Sequence, residues 1–510
     1  MAPISRRKFG KSIFSGMAAA GTFAAGFSAT VGELKGRNGR ARRLRVSPNH
    51  RYLEYENGDP FFYLGDTAWE LFHRLSREEA ERYLANRAQK GFTVIQSVVL
   101  PQVGDLKSAN AYGDLPLVDR DPTRPVEAYF RQVDYVVNKA EELGLFIGML
   151  PTWGSYWTTG RSIFTPSTAR QYGRFLGRRY KDKPIIWILG GDQTVTNSRE
   201  REILDSLAAG LKEGDGGDHL MTFHPRGPGD SSFNLNDAPW LDFNMFQSSH
   251  AARDLDNGLY VEHDYSLTPQ KPTLDGENRY ECIPVGFYFQ GMRGIDRFDD
   301  ADVRQAAYWS LLAGACGYTY GNNNVWQMFD PERGRAKTQH KSGGEPARGG
   351  QSLPADPWLG ADGGLIGANI PWYDALDSPG AFQMAHVRRL FESFPFMKLV
   401  PDQSMIVDGP TAGGSKIRAA KSSDGSFAVV YSPIGESFTL NKHVIKGRRL
   451  KAVWYDPRYG VSYQFHETDA WGFQRYTPVT KGRGNDWVLL LEDVSAPYEL
   501  PGPARLKTAG

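Results

Sequence analysis

Short apolar runs alternate with amphipathic segments from about residue 50 to about residue 320. The apolar run PFFYLGD at 60–66 predicts a strand. The segment SREEAERYLANRAQKG at 76–91 predicts a helix, with a capping-box pattern at its start and glycine at its end. Further strands are predicted at 92–100, 145–150, 184–191, 219–224, 243–247, 271–277 and 317–323, and further helices at 126–144, 168–180, 199–214 and 301–314.

Strands that alternate with helices pair in parallel, because each helix carries the chain back to the start of the next strand. Eight such units predict an α/β fold of the (β/α)8 TIM barrel type over residues 48–396. A doubly wound open sheet is the alternative. It lacks support, because no Gly-x-Gly-x-x-Gly pattern follows the first strand.

The pattern changes after the eighth predicted strand. Residues 331–365 are dominated by Gly, Pro and charged residues, which predicts a long surface insertion, and a last helix is predicted at 371–394. From about residue 397, short alternating strands are separated by Asp-Gly and Pro-Arg-Tyr-Gly turns. We therefore expect a small all-β sandwich domain over residues 397–510.

The N-terminus has the composition of an export signal. Arg6 and Arg7 precede a mildly apolar run, rich in Ala and Gly, from Ile13 to about Ala29. This arrangement is typical of a twin-arginine signal peptide, and the run is too short and too weakly apolar to span a bilayer. We expect a signal peptide at 1–30, a flexible leader at 31–47, and a periplasmic or secreted mature protein without a membrane span.

Composition excludes some partners and leaves others open. The formal net charge is +2, which gives no global attraction to nucleic acid or to an anionic membrane. The 12 Trp, 24 Tyr and 28 Phe residues suit stacking on the apolar faces of sugar rings, although aromatic residues also fill cores. Cys282 and Cys316 lie in apolar sequence and predict buried thiols rather than a disulfide framework.

Two carboxylates follow predicted strands directly. Asp192 ends the apolar run WILGGD after the fourth strand, where a loop-bracing role is the simpler alternative to catalysis. Glu277, in KPTLDGENRYE, follows the seventh strand, which lies across a barrel from the fourth. Sugar hydrolysis requires such a facing pair: one carboxyl protonates the leaving oxygen, and the other attacks the anomeric carbon or activates water. Asp275 and Glu281 are rivals of Glu277, and Asp275 would share its side of an extended strand.

Other predicted strand ends, and the segments after them, carry polar or aromatic side chains. Amides, histidines and aromatic rings suit the hydroxyl groups and ring faces of a sugar. The candidate substrate-binding residues are Asp66, Trp69, His73, Gln96, Trp153, Trp157, His224, Gln247, Tyr320, Asn323 and Trp326. His250 is a further candidate, although a lone histidine is more often structural.

Motifs of other chemistries are missing from the sequence. There is no Gly-x-Ser-x-Gly nucleophile elbow, no His-Glu-x-x-His or paired-cysteine zinc motif, and no Walker-type phosphate loop. The carboxylate-pair mechanism needs no metal. We therefore expect neither a metal ion nor a cofactor.

The stretch GDPFFYLGDTAWELFHRLSREEAERYLANRAQKGFTVIQ closely resembles the opening of the apiosidase-like glycoside hydrolases, a bacterial family formerly catalogued as a domain of unknown function. PTWG, IIWILGGD, KPTLDGENRYE and NNNVWQMF resemble later blocks of the family, so the resemblance covers about residues 48–395. The C-terminal β region resembles a small domain that often follows in this family and is catalogued as collagen-binding. We do not expect collagen to be its ligand, and expect it to pack against the barrel or to bind glycan.

The resemblance implies a (β/α)8 barrel and exo-action on a furanose-type sugar. The founding activity of the family removes apiose from side chains of the pectin rhamnogalacturonan II. The Asp of its Gly-Gly-Asp block falls on Asp192 as the acid/base, and the Glu of Asp-Gly-Glu falls on Glu277 as the nucleophile. The insertion at 331–365 looks long for the family, which leaves the identity of the sugar open.

The expected function is therefore an exported, exo-acting and retaining glycoside hydrolase of an oligosaccharide or polysaccharide. One alternative is a different furanosidase, acting on arabinofuranosides or galactofuranosides. The other is a glycan-binding protein without catalytic activity.

Overall fold

The computed structural model describes residues 42–290, 296–333, 364–495 and 498–501. The predicted signal peptide and most of the predicted leader and insertion lie outside these residues. The end of the predicted leader is ordered, however. Strand β1 (Leu44–Val46) pairs antiparallel with β2 (Leu53–Tyr55), which pairs with β3 (Pro60–Phe61). The Arg- and Gly-rich composition of the leader did not reveal this strand, which is only three residues long and forms a hairpin with β2.

Within the described residues, eight parallel strands form the barrel, and each overlaps a strand predicted from the sequence. They are β4 (Tyr63–Thr67), β5 (Val94–Val98), β6 (Phe146–Leu150), β7 (Ile185–Gly190), β8 (Met221–His224), β10 (Asn244–Gln247), β11 (Thr273–Glu277) and β12 (Gly317–Tyr320). All eight are buried along their length, as expected of strands covered by helices outside and side chains inside. The TIM barrel prediction is confirmed.

Ladder pairing runs continuously around the barrel from β8 back through β4 to β12, β11 and β10. The gap between β8 and β10 is bridged by three hydrogen bonds, one of them from the Met221 amide to the Asp242 carboxylate at 2.8 Å. The Asp242 amide donates to the Met221 carbonyl at 2.8 Å, and Thr222 Oγ1 donates to the Phe243 carbonyl at 2.7 Å. A short strand, β9 (Gly229–Asp230), pairs antiparallel with β10 beside this gap.

Helices cover the outside of the barrel, and the predicted helices are confirmed with shifts of a few residues at their ends. The predicted helix at 371–394 is divided in two, because Pro379 starts a new helix at its first turn. The helices are α1 (Leu71–Arg74), α2 (Arg77–Gln89), α3 (Glu127–Glu142), α4 (Pro166–Tyr180), α5 (Ser198–Asp215), α6 (Ser232–Leu235), α7 (Gly258–Tyr265), α8 (Phe287–Gln290), α9 (Asp300–Leu312), α10 (Trp372–Ala375) and α11 (Pro379–Glu392).

The C-terminal region forms two antiparallel sheets, which confirms the all-β prediction. Their strands are β13 (Leu399–Pro401), β14 (Ile406–Asp408), β15 (Arg418–Ser422), β16 (Phe427–Ser432), β17 (Phe438–Asn441), β18 (Arg449–Asp456), β19 (Val461–Asp469), β20 (Phe473–Tyr476) and β21 (Trp487–Asp493). One sheet has the order β13-β15-β16-β21-β18-β19, and the other has the order β14-β17-β20. Apolar side chains of both sheets share one buried cluster, as in a sandwich.

The C-terminal domain packs against the barrel through α9. The buried Arg304 guanidinium lies 2.8 Å from the Asp486 carboxylate, and Trp309 Nε1 donates to the Lys416 carbonyl at 3.0 Å. The expectation that the domain contacts the barrel is therefore met. Both cysteines are free; Cys316 is buried as predicted, and Cys282 is half-buried. In the described part of the chain, no helix has the length and apolar character that crossing a membrane requires.

Candidate active site

The C-terminal ends of β7, β8 and β11 bring three polar side chains to one end of the barrel. Asp192 follows β7 by two residues, His224 is the last residue of β8, and Glu277 is the last residue of β11. Because the strands run parallel, these ends lie on the same rim. His224 and Glu277 are buried, and Asp192 is half-buried. The mouth of the barrel therefore carries both carboxyls and an imidazole.

Two histidines hold the Glu277 carboxylate. Nε2 of His224 lies 3.1 Å from one carboxylate oxygen, and Nε2 of His250 lies 3.1 Å from the other. Burial by itself would raise the pKa of Glu277, but the hydrogen bonds and charges of the two histidines lower this pKa to about 2. Glu277 is therefore an anion throughout the neutral and mildly acidic range.

Asp192 has the opposite environment. Burial raises the pKa of its carboxyl to about 7, and the negative charge of Glu277 acts in the same direction. His224, Arg226 and a hydrogen bond from the Gly227 amide oppose this shift without cancelling it. Asp192 therefore holds a proton over the range in which Glu277 has lost its own, so the pair offers an acid and an anion together.

The imidazole of His224 joins the two carboxyl-bearing segments. The Asp192 amide donates a hydrogen bond to its Nδ1 at 3.3 Å, while its Nε2 lies 3.1 Å from Glu277. Trp69 packs edge-on against the ring at 5.2 Å between centroids, and Trp153 lies 6.3 Å away. Two of the predicted aromatic residues thus form a wall beside His224 and fix its orientation.

Three consecutive residues with positive φ present Asp192 to the mouth. The φ angles are 97° at Gly190, 99° at Gly191 and 55° at Asp192. A Cβ on Gly190 would lie 2.3 Å from the His224 carbonyl oxygen, so glycine is required there. The Gly190 carbonyl accepts a hydrogen bond from Trp157 Nε1 at 2.8 Å. The turn is braced on both sides, and it holds a non-glycine residue in a backbone conformation that concentrates at functional sites.

A bulge in β11 decides which acidic residue faces the mouth. Successive residues of β10 pair with Asp275 and with Glu277, so Gly276 is the extra residue. Asp275 and Glu277 therefore point to opposite sides of the strand, which corrects the expectation from a regular strand. An amide and a hydroxyl of the helix layer hold the Asp275 carboxylate, each at 2.8 Å. Burial raises the pKa of Asp275 to about 7.

Several predicted residues bind partners inside the protein instead. Asp66 forms a fully buried ion pair with Arg87 of α2 at 2.6 Å. The Tyr320 hydroxyl donates to Glu281 at 2.6 Å, and the Gly380 amide donates to the same carboxylate at 3.3 Å. These side chains point outward to the helix layer, because residues alternate between the two faces of a strand. The predictions that Asp66 and Tyr320 contact substrate are corrected accordingly, and Glu281 is no rival of Glu277.

Three other predicted residues brace the loops at the mouth. Trp326 Nε1 donates to Asn323 Oδ1 at 3.2 Å, and Asn323 Nδ2 donates to the Ile366 carbonyl at 2.9 Å. Trp157 is fully buried against the turn that carries Asp192. These residues use their polar groups on the protein itself, which corrects the prediction that they bind sugar directly.

Two buried amides lie near Glu277. Gln96 Nε2 donates across the barrel to the Gly276 carbonyl at 3.0 Å and so supports the bulge, while its Oε1 has no hydrogen-bond partner among the described residues. Gln247 is the neighbour of Glu277 in the sheet. Among the residues that the structure describes, its Oε1 has no hydrogen-bond partner, which leaves one acceptor unused beside the carboxylate. His73 is buried on α1, where its carbonyl accepts a hydrogen bond from the Ala111 amide at 3.1 Å.

Sequence patterns did not single out three residues around the carboxyls. The Tyr280 ring packs on His250 at 4.6 Å between centroids. Tyr288 is 50% exposed, and burial of its hydroxyl together with the charges of Glu277 and Asp192 raises its pKa. Arg226 is exposed and lies two residues after His224. Proximity to a strand end was a usable signal for Arg226 and Tyr280, whereas no local pattern marks Tyr288.

Comparison with known families identifies both parts of the chain. The family model described as "Apiosidase-like, catalytic domain" matches residues 47–398. The chain belongs to the apiosidase-like family. A second model, described as "Putative collagen-binding domain of a collagenase", matches residues 400–492. The resemblance seen in the sequence is confirmed for both parts of the chain.

Solved structures resemble this apiosidase-like chain over most of its length. One, described as a glycoside hydrolase, is 35% identical with a TM-score of 0.77, and the match covers 90% of this chain and 98% of the other. A glycoside hydrolase family 5 structure from Bacteroides vulgatus ATCC 8482 is 33% identical with a TM-score of 0.77, covering 90% and 96%. None of the curated proteins compared with the chain matches it significantly. The protein is a glycoside hydrolase.

The carboxyl and imidazole side chains at the mouth of the barrel suit an acid–anion pair rather than a metal centre. Within the described ranges, no group of three or more His, Cys, Asp or Glu side chains is arranged to hold a metal ion. The apiosidase-like barrel instead places the Nε2 atoms of two histidines 3.1 Å from the two Glu277 carboxylate oxygens. The arrangement can protonate one atom of a bound sugar while an anion faces another.

Gly190→Ala should reduce both stability and activity of this apiosidase-like enzyme. The new Cβ meets the His224 carbonyl, and the residue must keep a left-handed backbone. We expect the free energy of unfolding to fall by about 2–4 kcal/mol, and kcat to fall because Asp192 is displaced. Gly216→Ala is a matched control, since Gly216 has φ 83° but no atom within 4 Å of an added Cβ. Chemical denaturation and kinetics should separate the two variants; equal behaviour would contradict the role of the close contact.

Proposed function

We propose that this apiosidase-like hydrolase is exo-acting and retaining, and removes a terminal furanose-type sugar from a plant or bacterial polysaccharide. The observation that carries the proposal is the difference in pKa between the two carboxyls at the mouth of the barrel. The pKa is about 2 for Glu277 and about 7 for Asp192. Carboxyls whose environments push their pKa values apart supply an anion and an acid at the same pH. The furanose class is supported by the family match.

In the first step, Glu277 attacks the anomeric carbon while Asp192 gives its proton to the leaving oxygen. The glycosidic bond breaks, and a glycosyl ester to Glu277 forms. In the second step, the ionised Asp192 takes a proton from water, the water oxygen attacks the anomeric carbon, and the ester bond to Glu277 breaks. Two inversions at the same carbon retain its configuration.

The environment of Glu277 favours the nucleophilic role over that of a general base. A general base works best with a pKa near the operating pH, whereas the pKa of Glu277 is about 2. Its two oxygens are also held by His224 and His250, which stabilise the anion and orient it. An inverting mechanism would need Glu277 to accept a proton from water, for which such a weak base is poorly suited.

The stereochemistry of the first product tests the mechanism. Proton NMR of the anomeric signal, recorded in the first minutes of hydrolysis, distinguishes the two outcomes before the free sugar equilibrates. Appearance of the anomer with the substrate's configuration supports retention. Appearance of the opposite anomer would overturn it and make Glu277 the base of an inverting enzyme.

A substrate panel tests the sugar class. The panel contains nitrophenyl apiofuranoside, arabinofuranosides and galactofuranosides, matching pyranosides, and apiose-containing pectin fragments. Release of single furanose residues from chain ends supports the proposal and identifies the sugar that the enzyme removes. Release from pyranosides alone would refute the furanose class. Binding of glycan without any released sugar would identify a non-catalytic glycan-binding protein.

The pH dependence of kcat/KM should be bell-shaped, with its plateau in the acidic range. Activity requires ionised Glu277, so it is lost as pH falls toward about 2. It also requires protonated Asp192, so it declines by about tenfold per unit as pH rises above about 7. Rates on a neutral substrate between pH 3 and pH 10 measure the upper limb and show the acidic plateau, because the lower limb lies below this range. A profile that stays flat to pH 9 would exclude Asp192 as the titrating acid.

We further propose that the enzyme leaves the cytoplasm by the twin-arginine route. The support is the pair Arg6 and Arg7 before a weakly apolar run. Lysine at both positions should retain the enzyme in the cytoplasmic fraction, while activity in lysates is unchanged. Export of the double-lysine variant at the normal level would reject this route.

A further inference from the structure

One corner of the C-terminal sandwich presents two large aromatic rings to solvent. Trp471 is 66% exposed and Phe473 is 67% exposed. They flank Gly472 in the turn that carries the chain from β19 in one sheet to β20 in the other. His443 contacts Trp471 edge-on, with 5.7 Å between ring centroids. We call His443, Trp471 and Phe473 the aromatic corner.

The aromatic corner is held rigidly from inside by Lys442, which is 4% exposed. Its Nζ donates to Thr468 Oγ1 at 2.9 Å, to Gln474 Oε1 at 2.9 Å and to the Asp469 carbonyl at 2.5 Å. The Gly472 amide also donates to His443 Nε2 at 3.1 Å. The turn is therefore ordered before any ligand arrives, which lowers the entropic cost of binding.

The rings of the aromatic corner lie outside the core of the sandwich. Buried side chains of both sheets, among them those of Leu440 and Tyr476, fill the space between the sheets. Phe473 pairs across the strands with Asn441. Arg475, two residues further on the same strand, pairs with Asp408 at 3.0 Å. The exposed rings therefore do not pack in the core, and they are surrounded by polar groups that could bind the hydroxyl groups of a ligand.

The size and chemistry of this surface fit a sugar chain better than a protein. Two rings of roughly 150–250 Å² each, two-thirds exposed, offer about 300 Å², whereas a stable protein interface needs roughly 800 Å² per partner. Sugar rings have apolar C–H faces that stack on aromatic rings, and hydroxyl groups that bond to neighbouring amides and charged groups. We infer that the aromatic corner is a glycan-binding site that holds a polysaccharide chain on the C-terminal domain.

This inference rests on the proposed function only for the kind of polysaccharide, since binding here needs no catalysis. The test uses the full chain with Glu277→Gln, so that glycan is not consumed, in affinity gels containing pectin, arabinan, arabinogalactan or galactomannan. Adding the double substitution W471A/F473A should weaken binding about tenfold to whichever of these polysaccharides retards the Glu277→Gln chain in the gel. Tyr459→Ala, which removes an equally exposed ring (66%) at the far end of β19, is the matched control and should bind normally.

Two further measurements keep the inference falsifiable. In the active background, W471A/F473A should hydrolyse a small chromogenic furanoside at the normal rate, and its thermal unfolding should match that of the unmodified chain. No retardation of the unmodified chain by any polysaccharide, or equal retardation of both variants, would overturn the inference. Self-association that depends on Trp471 and Phe473, seen by size-exclusion chromatography across concentrations, would instead assign the rings to a contact between copies. Failure of hydrolysis alone would count against the proposed function and not against glycan binding.

Discussion

Glu277→Gln should lower kcat by roughly 10⁴-fold or more while the barrel remains folded. The amide has nearly the same size as the carboxylate, but it cannot form the glycosyl ester or stabilise positive charge at the anomeric carbon. Its carbonyl oxygen still accepts a hydrogen bond from one of the two histidines that hold the carboxylate. The loss is therefore chemical rather than structural.

Asp275→Asn is the matched control for Glu277→Gln. Asp275 lies two residues away on the same strand, but its carboxylate is held in the helix layer. We expect its kcat to stay within about threefold of the unmodified enzyme, because no atom of its side chain reaches the mouth. Steady-state kinetics with circular dichroism and thermal unfolding compare the two variants. Loss of activity in Asp275→Asn together with normal activity in Glu277→Gln would show that the bulge assignment is wrong.

Asp192→Asn should lower kcat on the natural glycoside by a factor on the order of 10²–10⁴, since a general acid and later a general base is lost. The effect should depend on the leaving group. A dinitrophenyl leaving group departs without protonation, so the first step stays fast with that substrate, and the glycosyl ester to Glu277 accumulates as an initial burst. Rapid-mixing kinetics that follow dinitrophenolate release measure the burst.

Azide provides the second measurement on Asp192→Asn. A small anion that enters the space of the lost carboxylate attacks the ester without base catalysis. Azide should therefore restore dinitrophenyl glycoside turnover and give a glycosyl azide with the configuration of the substrate. The upper limb of the pH profile should also vanish, because the group with a pKa of about 7 has been removed. If kcat falls equally for substrates with either leaving group, and azide does not restore it, Asp192 has a structural role in the backbone turn after β7.

The opposed environments of the two carboxyls depend on side chains that are far apart in the sequence. His224 and His250 reach Glu277 from the ends of two other strands. The same His224 accepts a hydrogen bond from the Asp192 backbone. A change at His224 should therefore affect both carboxyls, which makes this imidazole the physical connection between acid and nucleophile.

Much of the fold was predictable from local pattern. The barrel strands are buried on both faces and read as short apolar runs, and the helices carry amphipathic spacing and end signals such as the capping box at Ser76. Strand ends in a parallel barrel share one rim, so the positions of Asp192 and Glu277 directly after their strands were enough to select them as candidates. Trp69 and Trp153 were predicted as substrate-binding residues, and only the structure shows that they pack beside His224.

Side-chain direction was not predictable from local pattern. Asp66 and Tyr320 lie at strand ends like the true mouth residues, yet they face the helix layer, where Arg87 and Glu281 bind them. Asp275 shares a short acidic segment with Glu277 and faces the opposite way. The side of a strand that a residue faces depends on register with neighbouring strands, and one bulge reverses it.

The sequence by itself thus determined the barrel, the following β domain, the family and the two candidate carboxyls, because these depend on apolar periodicity and on blocks of consecutive residues. Only the tertiary structure decided which acidic side chain faces the mouth, which histidines hold it, and why one carboxyl is an anion while the other keeps its proton. Those properties arise from burial, register and charges contributed by distant segments, and no local stretch of sequence contains them.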